Sequence, residues 1–98
     1  MIMQPTGVKC EKLAHSAATG STTVYEYRTL TLNKPLSNYK LINVCCDTAA
    51  ATTVVVEAFK EADAVINPTN SIRLEYVDDM TISVHIRKAD YIKIYGIR

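Results

Sequence analysis

Residues 72–97 alternate apolar and polar side chains in three consecutive runs. Ile72, Leu74 and Tyr76 alternate with Arg73 and Glu75. Ile82, Val84 and Ile86 alternate with Thr81, Ser83, His85 and Arg87. Ile92, Ile94 and Ile97 alternate or nearly alternate with Lys93 and Tyr95. Successive strand side chains point to opposite faces, so this period predicts strands with one dry and one wet face. Asp78-Asp79 predicts a tight turn between the first two runs, and residues 88–90 a second turn before the last.

The rest of the chain extends this pattern. Residues 1–9 read as a lead-in broken by Pro5 and Gly7. Residues 10–16 fit a first strand and residues 17–23 a small polar loop. Residues 24–32 have strand composition. Tyr25 and Tyr27 share one face there and Leu30 and Leu32 the other, which suggests a bulge near Arg28 or a strand buried on both sides. Residues 33–38 read as a turn, and "YKLINVCC" (39–46) as a nearly continuous apolar strand central in a sheet. The β-branched Val54, Val55 and Val56 favour a strand over 52–58, followed by a loop or one helical turn. Val55, Ala58, Phe59 and Ala62 also lie at helical spacing, so helix and strand both stay open over 55–65. Residues 66–71 read as a loop. Six to eight short strands at near-regular spacing predict an all-β fold, a small antiparallel, jelly-roll-like β-sandwich in one domain over 10–98.

Composition narrows the function. The formal net charge is +1, and the most basic stretch, Arg87 to Arg98, is interrupted by Asp90. That is no nucleic-acid footprint. The three cysteines are Cys10, Cys45 and Cys46. Strand neighbours point apart, so Cys45 and Cys46 are poorly placed to bond, and a reducing cytoplasm suits the chain. No apolar run approaches a membrane span, and no signal-peptide pattern opens the sequence.

Catalytic motifs are missing from the sequence. Cys10, His15, Cys45, Cys46 and His85 show no metal-ligand spacing, so no metal site is expected. Asp78-Asp79 could be read as paired carboxylates, but adjacent hairpin residues diverge where acid–base or calcium chemistry needs convergence. No nucleophile elbow, P-loop or dinucleotide fingerprint is present. The expectation is a protein without catalytic residues or a cofactor. The six tyrosines, against one Phe and no Trp, instead direct attention to a surface. Tyr25 and Tyr27, and Tyr91 and Tyr95 around Lys93, fit an oligomer interface, a glycan-contact surface or simple packing at core edges.

"LSNYKLINV" (36–44), "TTVVV" (52–56), "YVDDMTISVHI" (76–86) and the closing "IKIYGIR" (92–98) follow in that order. The arrangement resembles the C-terminal head, or knob, domains of bacteriophage tail fibres and related minor structural proteins. Ile92, Ile94, Tyr95, Gly96 and Ile97 match the closing motif, which has a structural role. The resemblance covers residues 10–98 and implies a trimeric β-sandwich knob in the virion, made in the bacterial host cytoplasm. It implies other virion proteins as neighbours and a host-surface glycan as receptor. No receptor-binding residue transfers, because in such heads those positions lie in variable loops. The short lead-in fits either an excised head or a small stand-alone virion protein. Three rival readings remain: a head-fibre, capsid decoration or baseplate protein without a receptor; a carbohydrate-binding module; and an enzyme. In a three-fold assembly the face of Tyr91, Lys93 and Tyr95 could meet its copies. Gly96 would permit close approach of another backbone, or a bulge.

Overall fold

In the computed structural model, residues 10–46, 49–61, 66–69 and 72–98 are described. They form β1 (Cys10–Ser16), β2 (Tyr25–Thr31), β3 (Leu41–Cys46), β4 (Ala49–Val55), α1 (Val56–Glu61), β5 (Ile66–Thr69), β6 (Ile72–Asp78), β7 (Thr81–Arg87) and β8 (Ile92–Ile97). Two four-stranded antiparallel sheets have the orders β1-β8-β3-β4 and β2-β7-β6-β5. The protein is an all-β sandwich. Its jelly-roll character lies in the terminal strands: β1 pairs β8 in one sheet while β2 pairs β7 in the other. The expected lead-in over 1–9 lies outside the described residues.

The dry faces of the alternating runs meet between the sheets. Leu13, Ile42, Ile92 and Ile94 come from one sheet, and Ile72, Leu74, Ile82, Val84 and Ile86 from the other; all are fully buried. Each such side chain is worth about 1.5–3 kcal/mol relative to exposure. Leu36, in the 3-10 turn Leu36–Asn38, and Phe59, on α1, complete this core. Phe59 meets Tyr76 edge to face, with ring centroids 5.9 Å apart.

Four expectations are corrected. First, β2 pairs β7 without interruption from Tyr25↔Arg87 to Thr31↔Thr81, so no bulge sits at Arg28, and the strand is wet on one face. Arg28 points inward, is 7% exposed, and is fully engaged there. Its Nε donates to Glu26 at 2.7 Å, Nη1 to Ser16 Oγ and the Ala17 carbonyl at 3.2 Å, and Nη2 to the Arg87 carbonyl at 3.0 Å. Five donors in a planar fork allow one side chain to serve all these acceptors. Second, residues 66–69 are not loop but β5, an edge strand, the one place in a sheet that tolerates Pro68. Third, the strand expected over 52–58 ends at Val55, and α1 takes Val56–Glu61. Burial of Val56 and Phe59 on one helical face outweighs the β preference of the valine run. Fourth, Asp78 ends β6, and the turn is Asp79-Met80. The two carboxylates diverge as expected: Asp78 accepts from the Met80 N–H at 2.8 Å, while Asp79 accepts from the Ser37 hydroxyl at 2.7 Å.

Strand β8 lies inside its sheet, with β1 on one side and β3 on the other. Gly96 is in register with both Glu11 and Ile42, so there is no bulge, and a side chain, not a backbone, makes the close approach. The ring of Tyr39 lies over Gly96 so closely that an added Cβ would stand 2.6–2.7 Å from three ring atoms. The Tyr39 hydroxyl donates to Glu11 at 2.6 Å, and the Arg98 guanidinium lies 5.2 Å from the ring centre. Glu11 also pairs with Lys34 and Arg98, both at 3.2 Å. The hydrogen bond from Tyr39, then those from Lys34 and Arg98, hold the Glu11 carboxyl down at about 2. Burial, then the bond to Glu11, raises the Tyr39 phenol.

Two outcomes follow from this contact. Gly96→Ala forces the Tyr39 ring aside and costs about 1–3 kcal/mol, the range for overpacking a filled site. In a Tyr39→Leu background the same substitution costs less, and chemical denaturation of the four proteins of that cycle measures the difference. For Glu11, a lowered native pKa means stability present at neutral pH that is lost as pH falls from about 4.5 towards about 2. Glu11→Gln therefore lowers Tm at pH 7, and its deficit against wild type closes across that window in a thermal melt series.

Candidate functional site

The outward residues of the β2-β7-β6-β5 sheet fall into rows set by strand register. One row runs Tyr27–His85–Arg73, and the next Thr29–Ser83–Glu75. Directly opposed residues on an antiparallel pair have Cβ atoms about 4.5–5.5 Å apart, so side chains along a row touch. The Tyr27 ring stacks on His85, with centroids 4.4 Å apart and planes 28° from parallel. Tyr25 leans on the same imidazole at 5.2 Å. Tyr27 is 69% exposed and Tyr25 44%, so most of this aromatic surface is left to solvent. Between the rows lies a shallow depression lined by Tyr27, Arg73, Glu75, Ser83 and His85.

The electrostatics of this face are unusual for the molecule. The chain has four arginines. Arg28, Arg87 and Arg98 are each held by a carboxylate, from Glu26, Asp90 and Glu11. Among the described residues, neither Arg73 nor Glu75 takes part in an ion pair. The depression therefore offers an aromatic wall, an uncommitted guanidinium, a carboxylate and a hydroxyl on a rigid sheet face. Such a set can stack on a ring and hydrogen-bond its substituents.

Tyr91, Lys93 and Tyr95 lie on the other sheet. Lys93 and Tyr95 face outward on β8, opposite the inward Ile92 and Ile94. The Lys93 ammonium stands 5.4 Å from the centre of the Tyr91 ring. Cross-strand register puts Lys93 beside His15 and Cys45, and Tyr95 beside Lys12 and Asn43. An apolar row, Ile97–Leu41–Val55, crosses the same face, with Val55 51% exposed. The tyrosine pairs named from the sequence thus do not form one surface; they occupy opposite outer faces of the sandwich. Of the closing motif, Ile92 and Ile94 are core, Gly96 seats Tyr39, and Tyr95 and Ile97 face outward.

Sequence reasoning named Tyr25 and Tyr27 but missed His85, Arg73, Glu75 and Ser83 as their neighbours. Alternation had placed all four on wet faces. What it lacked was the strand register, which alone brings Arg73 beside His85. Among the described residues, no three His, Cys, Asp or Glu side chains gather where they could hold a metal ion. None of the three cysteines forms a disulfide, and Cys45 is half-buried and Cys46 buried on opposite faces of β3. No helix among the described residues is long and apolar enough to cross a membrane. No family model, curated protein or solved structure matches the chain.

Proposed function

We propose that the protein is a non-enzymatic component of a bacteriophage virion, a trimeric fibre head that adheres to a glycan of the host surface. The observation that carries this reading is the exposed Tyr27–His85 stack beside the Arg73, Glu75 and Ser83 depression. A flat aromatic plate next to fixed polar groups suits a sugar ring, which has apolar faces and a polar rim. The groups sit on strands, so binding requires no ordering of a loop. The resemblance of the closing residues to fibre heads supplies the virion context. Affinity at one shallow site is weak, and three copies on one knob multiply it through effective concentration. The face of Tyr91, Lys93, Tyr95 and the Ile97–Leu41–Val55 row is the contact between copies, an apolar centre rimmed by aromatic and basic groups.

Two measurements test this reading. Fluorescently labelled protein is expected to bind cells of a susceptible bacterial strain. Tyr27→Ala is expected to weaken that binding about tenfold or more, the effect of losing about 1.4 kcal/mol per site. Binding to no strain in a broad panel would favour a capsid decoration or baseplate role without a receptor. Light scattering on a sizing column is expected to give three times the 10.9 kDa chain mass, falling in Tyr95→Ala. A wild-type monomer would retire the trimeric knob and favour a carbohydrate-binding module.

A further inference from the structure

We infer that the ligand of the β2-β7-β6-β5 face is an acidic sugar, a uronate-type residue whose carboxylate is gripped by Arg73. The inference rests on the glycan-binding reading of this site and names the class of glycan. Arg73 is the exposed arginine that no carboxylate holds among the described residues, although the protein pairs each of its other three. It stands directly opposite His85, a second nitrogen donor, whose ring is backed by Tyr27. Among the described residues, no carboxylate pairs with this guanidinium or with the imidazole beside it. A planar carboxylate matches the guanidinium fork with two parallel hydrogen bonds, the strongest arrangement available to it.

The second row gives the site a direction. Glu75 and Ser83 are directly opposed, one residue pair along from Arg73 and His85. Glu75 accepts hydrogen bonds from hydroxyls and repels a carboxylate, so it bars the acid group from that end. A sugar ring lying across Tyr27 therefore has its carboxylate towards Arg73 and His85 and its hydroxyls towards Glu75 and Ser83. A neutral sugar would leave the guanidinium without a charged acceptor. A polyanion charged along its whole length would meet Glu75.

The test uses uronate-containing bacterial polysaccharides, together with the same preparations after chemical reduction of their carboxyl groups to alcohols. Immobilised wild-type protein is expected to bind at least one acidic preparation, and about tenfold more weakly once that preparation is reduced. Arg73→Gln is expected to erase this difference, and Arg73→Lys to restore it only in part, because the fork is lost. Tyr27→Ala is expected to weaken binding to both forms. Unaltered thermal melts of the variants establish that the fold is intact. Equal binding before and after reduction, or an acid preference that survives Arg73→Gln, overturns the acidic-sugar inference and leaves the adhesion reading standing. Binding that ignores Tyr27→Ala, or none to either form across the panel, overturns the adhesion reading with it.

Discussion

The contact between Tyr39 and Gly96 closes one end of the molecule. Strand β8 is hydrogen-bonded on both edges, so its inward positions must fit beneath whatever covers the sheet. At position 96 the covering group is a tyrosine ring, and only glycine leaves room for it. That placement delivers the phenol to Glu11 on β1, and Glu11 in turn collects Lys34 and Arg98. One missing side chain thus ties together the first strand, the turn before β3 and the residue after β8. Arg28 performs the matching task on the β1–β2 corner, where its fork joins β2 to the loop after β1 and to the turn before β8. At the other end of that corner, Asn33 donates its backbone N–H to the Leu13 carbonyl and its amide to that of Lys12. These are the carbonyls beside the bulge between Lys12 and Ala14. Polar side chains thus seal the corner where two sheet edges meet.

This closed frame leaves two outer sheet faces that differ in chemistry. The β2-β7-β6-β5 face is rich in hydroxyls, with an aromatic–imidazole stack and opposite charges kept apart. The β1-β8-β3-β4 face carries Lys12, His15 and Lys93 around an apolar row, with no outward carboxylate among its described residues. The proposed division of labour between ligand and neighbouring copy rests on that contrast.

Most strands were legible because each has one dry face. β6, β7 and β8 lie within two residues of where alternation placed them, and β1 spans the residues 10–16 expected for a first strand. Reading failed where tertiary context decides. In β2, the polar Arg28 on the inward face looked like a break in phase, since a charge there is intelligible only beside the carbonyls it serves. Pro68 argued for a loop, yet an edge strand has a side that needs no donor. Val54, Val55 and Val56 argued for strand beyond the point where core packing turns the chain into a helix. The site was half legible: alternation exposes Tyr25 and Tyr27, but the neighbours that give them a chemistry come from strands nearly fifty residues or more away.

The central position of β8 also has a consequence for synthesis. Ribosomes deliver the chain from the amino end, so β1, β3 and β4 emerge long before the strand that separates β1 from β3. Until residue 97 has left the exit tunnel, β1 has no sheet partner, and β3 has only β4. The nascent chain therefore carries unpaired strand edges from the emergence of β1 until that of β8. Closure joins segments about eighty residues apart in sequence, the slow class of topology. In the interval between emergence of β3 and arrival of β8, those unpaired edges are open to association with other chains.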